Sequence, residues 1–156
     1  MIIGIEAQRL FSTNKHGMDY VVLEELKELQ QIGTDNEYYA FVKPGEDRCV
    51  ESTKNVHIIE LNCPSYPLWG QCALPRAANK YGVEILHCTS DTTPIRCNRP
   101  LVLTLRKIIF LEPRDNQNHY LYQNMGWLYK RLVVQKYKTN TTESLPYRIS
   151  RWYMSF

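Results

Sequence analysis

Residues 1–11 read MIIGIEAQRLF, and this stretch decides the fold class. Its segment from Ile2 to Ala7 is a short apolar run, which is typical of a buried β-strand. A polar loop follows, and then an amphipathic segment in which Val22, Leu26 and Leu29 are spaced to share one helical face. A buried strand that leads through a loop into a helix is the first half of a βαβ unit.

Signals at the ends of the predicted helices agree with this pattern. Asp19 is suited to cap the first helix, because its carboxylate accepts backbone N–H groups, and Gly33 lies just beyond that helix. A second helix is predicted to begin at Pro67 and to run to Ala77. Pro75 is expected to kink or interrupt it, because proline lacks the N–H that a helix needs.

Four further apolar segments predict strands. They span residues 38–42, 56–61, 84–89 and 101–110, and a third helix is predicted over 118–134. Strands that alternate with helices predict an α/β fold, here a Rossmann-like, mostly parallel sheet with helices on both faces. Such sheets bind ligands beyond the carboxyl ends of their strands. This rule selects three loops, which are residues 12–19, residues 89–94 and the chain from Arg106 onward.

The composition narrows the function classes. The chain has 156 residues, 44% of them hydrophobic, which suits one packed domain. A net charge of +3 gives no electrostatic case for a nucleic-acid partner. Five cysteines without a CxxC motif favour free thiols and a cytoplasmic location. No apolar run approaches the roughly 18–20 residues that span a bilayer, and no signal peptide is recognised.

Short motifs along residues 1–134 match those of one enzyme family in the same order. AQRL at 7–10 is similar to the end of its "GIDARRL" start, HGMD at 16–19 to its glycine loop, and residues 36–42 to its second strand. Further matches are YPLW at 66–69, LPRAA at 74–78, LHCTS at 86–90, PLVLTL at 100–105 and YKRLVV at 129–134. Together they resemble the family 4 glycosyltransferases of the bacterial surface-polysaccharide type, which have the two-domain GT-B fold.

The resemblance implies a glycosyltransferase N-terminal (acceptor-side) domain at residues 1–134. The parent reaction transfers a hexose from a nucleotide-sugar donor to a glycan or lipid-linked acceptor, with retention of configuration and without a metal or other cofactor. The family's donor-binding domain has no counterpart here, so a truncated glycosyltransferase that is inactive alone is expected. Residues 135–156 are expected to be a divergent, irregular tail.

Two alternatives to a truncated enzyme stay open. One is a subunit that is completed by a separately encoded C-terminal domain. The other is a non-enzymatic sugar-binding module. All three readings imply a cytoplasmic protein, or one at the inner face of the membrane with at most peripheral contact to the lipid, and none implies a nucleic-acid partner.

Seven residues on the three loops are candidates for donor and acceptor binding: Gly17, Met18, Asp19, Thr89, Ser90, Arg106 and Lys107. By resemblance, the backbone at Gly17 approaches the donor phosphate, although an ordinary loop glycine before a helix fits the same position. Asp19 is predicted to be a helix cap rather than a catalytic base.

The other candidates also have two interpretations each. Thr89 and Ser90 are placed to contact an acceptor sugar or to cap the next turn. Arg106 stands at the family's His position, and because a guanidinium only donates hydrogen bonds, no catalytic residue is assigned. Arg106 and Lys107 either meet an anionic ligand or are solvated charges. His87 lies inside an apolar strand and is predicted to be a core histidine.

Overall fold

A parallel β-sheet forms the centre of the computed structural model, which describes residues 1–32, 35–104, 128–129 and 131–132. Its strands are β1 (Ile2–Glu6), β2 (Glu37–Val42), β3 (Val56–Glu60), β4 (Ile85–Cys88) and β5 (Leu101–Leu103). Their order across the sheet is β3-β2-β1-β4-β5, and each described pair of neighbours is parallel. The predicted Rossmann-like α/β fold is confirmed.

Helices cover both faces of this sheet. Helix α1 (Gly17–Gln31) connects β1 to β2, and the short helices α2 (Tyr66–Leu68) and α3 (Leu74–Lys80) lie between β3 and β4. Val22 and Leu26 of α1 are buried against the sheet, as their helical spacing predicts. The helices of these two crossovers therefore bury apolar surface on the sheet.

The apolar interior of the described chain is divided between the two faces. On β2, Ala40 and Val42 belong to the cluster beneath α1, whereas Phe41 belongs to the cluster beneath α3. Successive side chains of a strand point to opposite faces, so one strand supplies both clusters. Burial of a large apolar side chain contributes about 1.5–3 kcal/mol, which makes these clusters the main source of stability.

The interruption predicted at Pro75 takes the form of a π-helical turn, Trp69–Ala73, between α2 and α3. The N–H of Leu74 donates to the carbonyl oxygen of Trp69, a bond that spans one residue more than an α-helical bond. In a continuous α-helix the proline ring would collide with the carbonyl of Gln71. The wider turn accommodates the proline, and it carries the fully buried Trp69, whose Nε1 donates to the Leu61 carbonyl at 3.0 Å.

Several predicted boundaries differ from those of the structure. β1 ends at Glu6 rather than Ala7, but the N–H of Ala7 still donates to the Phe41 carbonyl at 2.9 Å. Helix α1 begins at Gly17, so Asp19 lies in its first turn instead of before it. The cap position belongs to His16, because the backbone is extended there and becomes helical at the next residue.

Some predictions fall outside the described residues. These are Gly33, residues 105–110 of the fifth segment, Arg106 and Lys107 within it, most of the third predicted helix, and the tail at 135–156. The described part of the third helix, residues 128–129 and 131–132, is helical.

Candidate functional site

A crevice lies beyond the carboxyl ends of β1 and β4, which are neighbours at the centre of the sheet. From β1 the chain continues to β2 on one side, and from β4 it continues to β5 on the other. This reversal is the topological switch point at which open α/β sheets bind ligands. The loop after β1 and the loop after β4 therefore supply the residues of the candidate site.

The carboxylate of Glu6, the last residue of β1, lies at the base of the crevice and is 4% exposed. Its Oε1 accepts the N–H of Gln8 at 3.1 Å, and its Oε2 accepts the N–H of Thr89 at 3.3 Å. The hydroxyl of Thr89 donates to the main-chain oxygen of Glu6 at 2.7 Å. Within the described chain, no ion pair includes Glu6.

Two cavities open on the crevice among the described residues. The carboxylate cavity spans about 250 Å³, including space open to solvent, and its lining includes Glu6, Gln8, Tyr66, Trp69, Thr93 and Tyr129. The α1 cavity spans about 180 Å³, including space open to solvent, and its lining includes Arg9, Asp19, Thr89 and Ser90. Because Gln8 lines both, the cavities adjoin at the carboxyl end of β1.

In the α1 cavity an internal ion pair occupies the start of the helix. Oδ2 of Asp19 accepts the N–H of His16 at 2.7 Å and lies 3.3 Å from Nε of Arg9. The guanidinium of Arg9 also donates to the carbonyl oxygen of Asn14 at 2.9 Å. A carboxylate in the first turn favours the positive end of the helix dipole. Asp19 thus stabilises the helix start, as predicted, from a position inside the helix.

Gly17 and Met18 line neither cavity. Gly17 is the first residue of α1 and is exposed, and a Cβ atom built on it would meet no described atom within 4 Å. Its φ is outside the left-handed region. Neither packing nor backbone conformation therefore requires a glycine at this position.

The two tyrosines of the carboxylate cavity are held as neutral phenols. Although 41% of the Tyr66 surface is exposed, its hydroxyl end lies in the cavity and bonds to Thr92, and burial raises its pKa to about 12. The charge of Glu6 adds to this increase in pKa. Burial also raises the pKa of Tyr129, whose hydroxyl accepts a hydrogen bond from Gln71.

Gln71 ties the loop after β4 to the π-helical turn. Its Nε2 donates to the carbonyl oxygen of Thr93 at 2.9 Å, and its Oε1 accepts the N–H of Ile95 at 2.7 Å. The same loop contains Asp91, which is buried with a φ of 56°, a conformation that Asp tolerates better than most residues. The hydroxyl of Thr93, a residue 2% exposed, has no hydrogen-bond partner among the described residues.

Of the predicted site residues, the structure brings together Asp19, Thr89 and Ser90 around the α1 cavity. Sequence reasoning did not select Glu6 or Tyr66. Glu6 had a usable signal, since it is a carboxylate at the carboxyl end of the first buried strand. Tyr66 had none, because its place beside Glu6 depends on how α2 packs.

His87 is not in the apolar core that the sequence predicted for it. Its side chain is 23% exposed, with Nε2 at 2.8 Å from Oγ1 of Thr104 and Nδ1 at 3.5 Å from Oε1 of Glu25. The adjacent Cys88 is buried in the cluster on the opposite face of the sheet, where burial raises the pKa of its thiol. The alternation of side chains along β4 separates the two residues.

Among the residues that the structure describes, no three or more His, Cys, Asp or Glu side chains group as metal ligands would. No helix in the described ranges is both long enough and apolar enough to cross a membrane. Comparison with known proteins finds no matching family model, no similar curated protein and no similar solved structure.

Proposed function

We propose that this chain is the acceptor-side domain of a retaining, nucleotide-sugar-dependent glycosyltransferase. The motifs along residues 1–134 and the Rossmann-like sheet support this proposal. The observation that carries it is Gly17, a glycine at the exposed start of a 15-residue helix, where neither packing nor φ calls for one. A glycine there leaves the backbone open to the close approach of a ligand.

In this proposal the donor diphosphate meets the start of α1. The first N–H groups of an α-helix have no partner within the helix, and those of Gly17 and Met18 are at this end of α1. Together with the helix dipole, such groups attract an anion. Asp19 remains with His16 and Arg9, where it fixes the geometry of the helix start.

The acceptor sugar would occupy the crevice beside Thr89 and Ser90. Hydroxyl and carboxylate side chains there match the hydroxyl groups of a sugar as hydrogen-bond partners. A second domain, on the same polypeptide or on a separate one, would hold the nucleotide and exclude water from the cleft. The chain alone is expected to bind donor and acceptor without transfer.

Titrations of the ¹⁵N-labelled chain followed by NMR test the proposal. UDP-glucose is expected to shift the backbone signals of Gly17 and Met18, and maltose those of Thr89 and Ser90. Gly17→Ala is expected to weaken UDP-glucose binding about tenfold, a loss of about 1.4 kcal/mol, while the free energy of unfolding stays unchanged or rises by up to about 1 kcal/mol. Gln31→Ala, at the exposed far end of α1, is the control and should bind like the parent chain.

The same titrations separate the proposal from its rival. A non-enzymatic sugar-binding module is favoured by the carboxylate and hydroxyl groups among the residues that line the carboxylate cavity, because such groups form hydrogen bonds with sugar hydroxyls. Such a module would bind maltose and leave the Gly17 signal unmoved by UDP-glucose. Absence of any UDP-glucose effect at the start of α1, or equal affinity of Gly17→Ala, would reject the glycosyltransferase domain.

A further inference from the structure

Strand β3 forms one outer edge of the sheet. It pairs with β2, and within the described chain no strand lies on its other side. Its sequence, VHIIE, is rich in β-branched residues, and its one carboxylate, that of Glu60, forms an ion pair with Arg48. An edge strand of this composition is a template to which a strand of another chain can add.

The backbone amides of Val56 and Ile58 point to this outer edge. The N–H of Leu61, just after β3, donates to the carbonyl oxygen of Val42 on β2 at 2.8 Å. Amides that point to the neighbouring strand alternate along a strand with amides that point away from it. Val56 and Ile58 lie at odd separations from Leu61 and therefore face outward, where an added strand would use their N–H and C=O groups.

The segment at residues 51–55, named the edge loop, already bonds to these outward groups. The N–H of Ile58 donates to Oγ of Ser52 at 2.9 Å, and the N–H of Val56 donates to Oγ1 of Thr53 at 3.3 Å. The N–H of Thr53 donates in turn to the carbonyl oxygen of Val56 at 2.8 Å. The edge loop thus occupies three of the positions that an added strand needs.

Both ends of the edge loop are fixed to the end of helix α1. Nε2 of Gln30 donates to the carbonyl oxygen of Glu51 at 2.6 Å, and Nδ2 of Asn55 donates to the carbonyl oxygen of Leu29 at 2.7 Å. The last carbonyl groups of a helix have no partner within it, so Asn55 also completes the helix end. Residues 51–54 are exposed, so hydrogen bonds rather than apolar burial hold the edge loop in place.

We propose that the outer edge of β3 is a pairing surface for a second copy of this chain, and that the edge loop blocks it. The sequence of β3 suits pairing with itself. In an antiparallel pair about a two-fold axis at Ile58, each Glu60 lies opposite a Val56, so the two carboxylates do not oppose each other. The sheets of the two copies would then be continuous. This interaction surface does not depend on the proposed function.

Sedimentation equilibrium of the purified chain tests the proposal. Ser52→Ala with Thr53→Ala removes both hydroxyl acceptors, so pairing no longer has to break their bonds to β3. The double variant is expected to self-associate at least about tenfold more tightly than the parent chain. Ser52→Thr with Thr53→Ser keeps both hydroxyls and should behave like the parent. Thr13→Ala, which changes an exposed residue outside the edge loop, should do the same.

Hydrogen exchange followed by NMR locates the interface. In the parent chain the amides of Val56 and Ile58 should be protected, because both are bonded to the edge loop. In the double variant they should exchange faster at low concentration and regain protection as the chain associates. Should the double variant not fold, Ser52→Ala alone, which frees the Ile58 amide, is measured in the same way.

Three results would overturn the proposal. One is equal self-association of the parent chain and the variant that lacks the hydroxyl groups. Another is fast exchange of the Val56 and Ile58 amides in the parent chain, which would mean that the edge loop does not cover the strand. The third is association of the variant without renewed protection of these amides, which would place the interface elsewhere.

Discussion

The hydroxyl of Thr89 lies 2.7 Å from the main-chain oxygen of Glu6, although 83 positions separate the two residues in the chain. The bond joins the carboxyl end of β4 to that of β1, where both strands turn into their loops. The N–H of Thr89 reaches the carboxylate of the same residue. This pair therefore fixes the floor of the crevice and the orientation of its buried charge.

Removal of the Thr89 hydroxyl is expected to destabilise the fold. Thr89→Val leaves a buried carbonyl and a buried carboxylate short of a donor, at a cost of about 1–3 kcal/mol. Urea unfolding followed by circular dichroism measures the change. Thr89→Ser retains the hydroxyl and should recover most of the loss. A Thr89→Val protein as stable as the parent would show that the bond is not needed.

Substitution of glycine by alanine is expected to have opposite effects on stability at Gly45 and at Gly17. A Cβ at Gly45 would lie 2.1 Å from the carbonyl oxygen of Phe11, so Gly45→Ala must displace backbone and should cost at least about 1–3 kcal/mol. At Gly17 the same change meets open space and should be neutral, or stabilising by up to about 1 kcal/mol. Thermal unfolding of both variants compares them directly. Equal melting temperatures would contradict the close contact at Gly45.

Removal of the Thr93 hydroxyl, unlike removal of the Thr89 hydroxyl, is not expected to reduce stability. Thr93→Val replaces a buried hydroxyl that has no described partner with a methyl group of similar shape. Stability should be unchanged or should rise, by up to about 1 kcal/mol, because the desolvation cost of the hydroxyl disappears. Denaturant midpoints of the two proteins provide the measurement, with Thr89→Val as the contrasting case. A clear loss of stability would mean that the hydroxyl has a partner in solution.

The raised pKa of Tyr66 predicts that the stability of the fold changes at alkaline pH. Burial raises its pKa to about 12 in the folded chain, whereas a free tyrosine ionises near 10. Below pH 10 both states keep the proton, so the contribution of Tyr66 to stability is constant there. Between pH 10 and about 12 only the unfolded chain loses the proton, and stability falls as pH rises.

Tyr66→Phe isolates this effect. Over pH 10 to 12 the free energy of unfolding of the variant should decline less steeply than that of the parent chain. Tyr20→Phe, at an exposed position on α1, is the control and should follow the parent slope. Parallel slopes for the parent and Tyr66→Phe would refute the raised pKa.

Local sequence patterns predicted most of the secondary structure. The apolar run at residues 2–7 predicted β1, and the spacing of Val22 and Leu26 predicted the buried face of α1. Pro75 predicted the break that appears as a π-helical turn. These features depend on residues that are neighbours in the chain, so their periodicity and side-chain chemistry are visible without a structure.

The exposed edge of the sheet shows where such reasoning was incomplete. An unpaired sheet edge favours aggregation because its backbone N–H and C=O groups lack partners. At the outer edge of β3, two of the N–H groups find hydrogen-bond acceptors in the loop before the strand. The N–H of Ile58 donates to Oγ of Ser52 at 2.9 Å, and that of Val56 to Oγ1 of Thr53 at 3.3 Å. Residues 51–55 have no periodicity that would predict this cover.

The sequence by itself determined the alternation of strands and helices, and with it the parallel sheet and the end at which such sheets commonly bind ligands. Only the tertiary structure decided that β1 lies beside β4, which brings Glu6 to Thr89, and that Tyr66 lines the same cavity as Glu6. The reason is physical. The spacing of apolar residues indicates which face of a strand or helix is buried. The hydrogen-bond partner of a buried polar group depends instead on how elements that are distant in the chain pack together.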